Sequence, residues 1–161
     1  MFETVMLSSS ILSIPSSPIA LEPLSAYLVE DSPMIRTNLT TTLEELCGIK
    51  VVASAESEAA AMEWLVQPEQ KWQLAIVDLF LRPGSGIKIL AACRNRKPEQ
   101  KIVVLTNYAT PDMRKICIGL GADAVFDKSR EVDALIDYCI ELAGNQYGPA
   151  TGSGHSSARN T

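Results

Sequence analysis

The stretch LAIVDLFL at positions 74–81 sets seven apolar residues around a single aspartate, Asp78. Burying an unpaired carboxylate in such a run costs roughly several kcal/mol, so this acid needs partners that the run itself does not supply. Leu74–Val77 is short and lacks apolar/polar alternation, the pattern of a strand covered on both faces. Runs of the same kind recur at Ala26–Val29, Val51–Ala53, Ile102–Leu105 and Ala124–Phe126. Segments with helical spacing separate them: Ile35, Leu39, Leu43 and Leu46 form one stripe, and Val132, Leu135, Ile136 and Cys139 another. Ser32 is suited to cap a helix that has Pro33 at its first position, and Pro111 and Asp112 open a later helix that Gly119 and Gly121 terminate. Five βα units predict an α/β fold: a doubly wound, five-stranded parallel sheet with helices on both faces. A closed barrel needs more strands and a longer chain.

The chain of 161 residues is expected to hold one domain, over residues 23–145. Residues 1–22 read as a flexible extension; their serines and prolines interrupt the apolar core that a secretory signal needs. Residues 146–161, rich in glycine and serine, read as a disordered polar tail. The balance of 14 basic and 19 acidic residues argues against direct nucleic-acid binding, and no apolar run is long enough for a membrane span. The four cysteines contain no CxxC pair and read as buried free thiols. The single histidine, His155, lies in the polar tail, which disfavours histidine-based catalysis or metal binding.

Ligands of open α/β sheets bind outside the carboxyl ends of the strands. The uncommon polar residues fall at those ends: Glu30 and Asp31 after the first strand, Asp78 after the third, Thr106 at the fourth and Lys128 after the fifth. Each alone reads more simply as a cap, turn or solvated residue; their coincidence at one sheet edge points to a site. Three carboxylates repel one another unless a cation intervenes, and oxygen ligands suit Mg2+. Lys128 supplies a charge for a phosphate oxygen and Thr106 a hydroxyl donor. A carboxylate in that setting can accept a phosphoryl group.

Four segments, YLVEDSP (27–33), AIVDLFLRPGSG (75–86), IVVLTN (102–107) and GADAVFDKS (121–129), resemble the receiver domain of two-component response regulators. Asp78, Thr106 and Lys128 are spaced by 28 and 22 residues, as in that family. The resemblance runs from about Leu24 to Ala143 and implies a flavodoxin-like (βα)5 fold with strand order 2-1-3-4-5. It implies that Asp78 is the phosphoacceptor, served by a histidine kinase or phosphotransfer protein. Glu30, Asp31, Asp78 and the backbone carbonyl of Phe80 would hold Mg2+, with Thr106 and Lys128 binding phosphoryl oxygens. Gly86 matches the family glycine at the start of the third helix. Phosphorylation would then reshape the face around helix four, strand five and helix five to switch binding of a downstream protein target. A cytoplasmic module, without external substrate turnover, is the expected form. It would stand alone or come from a longer regulator, and phosphorylation-dependent homodimerisation is one form its output can take.

Three positions depart from the family pattern. The common aromatic switch position holds Val125, and strand alternation sends the adjacent Phe126 to the opposite face, leaving the readout to backbone movement or to another residue such as Tyr108. Ser129 replaces the usual proline after the lysine, and a cis bond there would cost roughly 3–4 kcal/mol, so none is expected. Asn107 replaces a smaller residue and is expected to hinder access to the phosphoryl group and prolong its lifetime; equal dephosphorylation rates in wild type and Asn107→Ala would reject this. Two rival readings are a haloacid-dehalogenase-like phosphatase, whose second aspartate is here replaced by Phe80, and a degenerate receiver that binds partners without phosphorylation.

Overall fold

Strands and helices alternate through residues 22–145, the part of the chain described by this computed structural model. They are β1 (Ser25–Val29), α1 (Pro33–Leu46), β2 (Lys50–Ala55), α2 (Glu58–Leu65) and β3 (Leu74–Val77), then α3 (Gly86–Ala92), β4 (Lys101–Thr106), α4 (Pro111–Gly119), β5 (Ala124–Asp127) and α5 (Val132–Asn145). All neighbouring strands pair in parallel, in the order β2-β1-β3-β4-β5. The doubly wound sheet and its strand order are those expected. Residues 1–21 of the extension, the tail 146–161 and His155 lie outside the described residues.

Alternation along each central strand feeds two separate apolar layers. Tyr27, Val29, Ala75, Val77, Ile102 and Val104 pack on one face with residues of α2, α3 and α4. Ala26, Leu28, Leu74, Ile76, Val103 and Leu105 pack on the other with residues of α1 and α5. Because both faces are covered, strands β1, β3 and β4 read as nearly unbroken apolar runs. The β1–β2 pairing has one irregularity: Ala26 pairs with Val51, but Tyr27 pairs with Ala53. The extra residue, Val52, is exposed, and Val51 and Ala53 accordingly join different layers.

The helix starts follow local chemistry. Ser32, Ser57, Ser85 and Thr110 each use a side-chain oxygen to accept an amide of the following first turn. Pro33 and Pro111 begin α1 and α4, where their missing N–H removes no helical bond. One member of the expected α1 stripe departs: Leu46 is 62% exposed. The helix ends there, and Gly48, at φ +64°, turns the chain so that Cys47 and Ile49 fill the core position instead. Among the described residues, no helix is long and apolar enough to cross a membrane.

Candidate functional site

Register assembles the site. Val29 lies opposite Val77, so Glu30 and Asp78 leave the sheet side by side. The Asp78 amide donates to the Val29 carbonyl at 3.0 Å, and the Glu30 amide donates to Ala55 at 3.0 Å. Carboxylate oxygens of Glu30, Asp31 and Asp78 all lie within 4.8 Å of one another. On the other side, Thr106 pairs with Asp127, which puts Lys128 just past the sheet edge, its amide donating to the Thr106 carbonyl at 2.9 Å.

Lys128 explains how an acid survives in an apolar run. Its Nζ stands 2.7 Å from Asp78 Oδ2 and 2.7 Å from Glu30 Oε2, and all three side chains are largely buried. The Phe80 amide donates to Asp78 Oδ1 at 3.3 Å, and the Ser32 amide donates to Glu30 Oε1 at 3.2 Å. Burial pushes the Glu30 carboxyl above its usual range, against the opposing ion pair with Lys128, while the nearby Asp78 charge adds to the rise. Burial alone would depress Lys128, but hydrogen bonds to Asp78 and Glu30, with their charges, outweigh it and hold the ammonium above the ordinary lysine range. The cluster therefore carries two buried acids on one ammonium, with Asp31 half-buried beside them.

These side chains open into a cavity of about 470 Å³ whose lining includes Glu30, Asp31, Asp78, Phe80, Asn107, Tyr108 and Lys128. Thr106 does not line it; its side chain is fully buried and its hydroxyl accepts the Tyr108 amide at 3.2 Å. Of the five strand-end residues, four thus converge on the cavity, while Thr106 turns its hydroxyl into its own loop. Gly86 has a steric reason to be glycine: an added Cβ would lie 2.1 Å from the Asp78 carbonyl oxygen. The Gly86 amide also donates to Leu79 at 2.9 Å, drawing the start of α3 against the strand end that carries Asp78.

The expected departures have structural counterparts. Val125 and Phe126 belong to opposite layers, and the Phe126 ring meets Tyr138 edge-on at 5.7 Å. The one cis peptide among the described residues is Arg82–Pro83, so the bond before Ser129 is trans. Ser129 donates its amide and hydroxyl to Asp127 Oδ1 at 2.8 and 2.7 Å, closing the turn after β5. Those bonds, the hydroxyl first, hold the Asp127 carboxyl below its usual range.

Two supporting arginines escape a reading by strand ends, since both lie on helices. Arg36 donates to the Glu30 carbonyl at 2.7 Å and fixes the first acidic pair from behind. Arg114 donates to the carbonyls of Ala109 and Val125 at 3.0 and 2.9 Å and pairs with Glu131, joining α4 to β5 and to the residue before α5. Arg36 follows the Ser32 cap by one helical turn, a weak signal; nothing in the local sequence distinguishes Arg114 from a solvated residue.

The donor set fits a hard divalent cation: three carboxylates within one ligand sphere, beside an open cavity with room for water and phosphate oxygens. The ammonium that pairs with both Asp78 and Glu30 is also placed to meet an incoming anion.

Residues 26–139 match the family model described as the response regulator receiver domain. The photosynthetic apparatus regulatory protein RegA of Rhodobacter capsulatus is 28% identical over 69% of this chain and 58% of its own length. The acid tolerance regulatory protein ActR of Rhizobium meliloti is 25% identical over 78% of this chain and 62% of its own. The chain thus spans about three fifths of the length of these relatives. Among solved structures, a LuxR-family DNA-binding response regulator from Staphylococcus aureus superposes with a TM-score of 0.65 at 19% identity, covering 74% of this chain and 98% of that one. A Burkholderia pseudomallei response regulator, solved with a phosphorylated aspartic acid, calcium and citrate, gives 0.62 at 23% identity, covering 78% and 75%. At these identities the two structures speak for the fold.

Proposed function

The chain belongs to the response regulator receiver domain family, and from that membership we propose that it is a phosphorylation-dependent signalling module whose acceptor is Asp78. A phosphoryl group comes from a phosphohistidine of a histidine kinase or phosphotransfer protein. An Asp78 carboxylate oxygen bonds to phosphorus as the P–N bond breaks, and the electron pair returns to the donor imidazole, which takes up a proton. Glu30, Asp31, Asp78 and the Phe80 carbonyl hold Mg2+, which supplies charge neutralisation and alignment for the transferred group. Lys128 exchanges its bond to Asp78 for one to a phosphoryl oxygen. Thr106 gives up its bond from the Tyr108 amide and turns its hydroxyl to another.

The observation that carries this reading is the convergence of Asp78 with two further carboxylates and Lys128 at the strand ends, around one open cavity. The output follows as a population shift of the surface around α4, β5 and α5, which binds a downstream protein target or a second phosphorylated copy. Direct nucleic-acid and membrane contact play no part in this chain, and its setting is cytoplasmic.

The test is intact-mass analysis after incubation with acetyl phosphate and Mg2+. Wild type should gain a single phosphoryl group, and either EDTA or Asp78→Asn should abolish the gain. An unchanged wild-type mass, or continued labelling of Asp78→Asn, would reject Asp78 as the acceptor.

A further inference from the structure

The loop between β3 and α3 doubles back on itself and is gripped from outside by the start of α2. Phe80 and Ser85 face each other in an isolated antiparallel bridge, closed by the Gly86 amide donating to the Leu79 carbonyl at 2.9 Å. A bridge closed through its flanking residues is a non-hydrogen-bonded pair, so the amides of Phe80 and Ser85 each point away from the opposite arm. Each finds a carboxylate. The Phe80 amide donates to Asp78 Oδ1 at 3.3 Å, and the Ser85 amide donates to Glu58 Oε2 at 2.8 Å. Glu58 is the first residue of α2, and its own amide donates to the Pro83 carbonyl at 3.4 Å. The approach is so close that a Cβ on Gly84, which sits at φ +115°, would lie 2.3 Å from the Glu58 Cβ. In extended backbone a residue's carbonyl points to the same side as its amide, which leaves the Phe80 carbonyl on the Asp78 side, unused by the bridge.

We propose that Glu58 is a positioning residue for the divalent cation: by clipping the Ser85 arm to α2, it keeps the Phe80 carbonyl beside the carboxylates of Glu30, Asp31 and Asp78. The inference rests on the reading of these four groups as the ligands of Mg2+. Glu58 belongs neither to the carboxylate cluster nor to the lining of the Asp78 cavity, so its effect passes through the backbone of the loop. Mg2+ tolerates little departure from octahedral geometry, and a carbonyl free to drift is a poor ligand for it. The bridge makes the two arms move together, so releasing Ser85 from Glu58 releases Phe80 as well. Lys88, whose side chain is 73% exposed, stands 3.7 Å from Glu58 Oε1, and an ion pair so open to water adds little. The bond to the Ser85 amide is the one that holds the loop.

The experiment titrates the chain with Mg2+ alone by isothermal titration calorimetry, and separately follows labelling by acetyl phosphate against Mg2+ concentration by intact mass. Glu58→Ala should weaken Mg2+ binding by about tenfold, the lower end of the loss when a ligand's support is removed. Its labelling should need correspondingly more Mg2+ yet reach the wild-type rate at saturation, since no group that touches the reacting atoms is lost. Glu58→Gln sheds the charge but keeps an oxygen to accept the Ser85 amide, and should stay within about twofold of the wild-type affinity. Should Glu58→Ala fail to fold, Glu58→Asp, one methylene short of the Ser85 amide, carries the same expected weakening. Wild-type Mg2+ affinity in the variants that lose the Ser85 bond, even with a lowered melting midpoint, would overturn the clip. So would equal weakening in Glu58→Gln and Glu58→Ala, which would trace the effect to charge alone. Either result leaves the four ligands standing. A wild type that binds no Mg2+ would overturn the ligand reading and the clip together.

Discussion

Lys128 holds the charge balance of the site on one nitrogen, 2.7 Å from each of two buried carboxylates. Removing one partner of a buried ion pair leaves the other uncompensated, a larger loss than the pair's net worth. Here the loss is partly relieved because burial already raises the Glu30 pKa, so that acid can take up a proton. We therefore expect Lys128→Met to destabilise the protein by about 2–4 kcal/mol in EDTA, and by less once Mg2+ is added. Urea denaturation with and without the metal measures both, and equal midpoints in EDTA would show that the buried pairs contribute nothing. The sign with pH follows from the raised Lys128 pKa. Its stabilisation is complete below the unfolded lysine pKa of about 10.4 and disappears only as pH climbs through the higher folded value. At this scale the sequence was informative where a residue's type clashed with its run, as with Asp78, or stood at a strand end, as with Lys128. It was silent on Arg36 and Arg114, which bind carbonyl oxygens that bear no mark of residue type, Arg114 with Glu131 besides.

Elements are held at the opposite edge of the sheet by a second polar cluster, centred on Arg96 in the loop after α3. Its side chain, 11% exposed, donates to the carbonyls of Gln100, Cys93 and Gly121 and to Asp123 Oδ2, at 2.7–3.2 Å. Asp123 Oδ2 in turn accepts the Ile102 amide at 2.8 Å, so one guanidinium fastens the starts of β4 and β5 to the end of α3. Arg96→Met should cost about 2–4 kcal/mol through several stranded carbonyls, and Arg96→Lys should recover only part, since an ammonium cannot reproduce the planar fork. Because the cluster lies away from the strand ends that carry Asp78, phosphorylation by acetyl phosphate should persist in the folded fraction. Thermal melting paired with intact mass checks both halves; a wild-type melting midpoint in Arg96→Met would contradict the anchoring role. Element boundaries were legible because central strands covered on both faces leave unbroken apolar runs, and prolines and cap residues mark helix starts. Loop geometry was not, since it depends on contacts made only after the sheet has formed. Leu46 keeps its place in the helical stripe yet faces solvent, and the Phe80–Tyr108 contact joins residues with no periodic relation.

The whole molecule rests on two apolar layers that share the same five strands, and its four thiols sample both. Cys93 and Cys117 belong to one layer, Cys47 and Cys139 to the other, and all are buried and free. Burial pushes every one of these thiols up, Cys139 to about 12, so thiolate, the reactive form, is scarce in the folded state. Because each central strand contributes side chains to both faces, neither layer can separate without exposing the backs of strands that the other layer needs. Opening should then be a single cooperative event. Alkylation at neutral pH followed by intact mass should show two populations only, unlabelled and fully labelled at the four cysteines of the sequence. Persistent partly labelled species carrying Cys47 and Cys139 alone would instead establish that α1 and α5 detach as a unit. The pH dependence has a definite sign. Above about 8.5 the unfolded chain releases thiol protons that the folded chain retains, so stability falls as pH rises through that range. Labelling should accordingly accelerate with pH by more than the rise in thiolate of a free cysteine. Mg2+, if it binds the folded site, should slow labelling of all four positions together, including those far from the carboxylates, because in a cooperative structure a ligand at one edge protects every buried group equally.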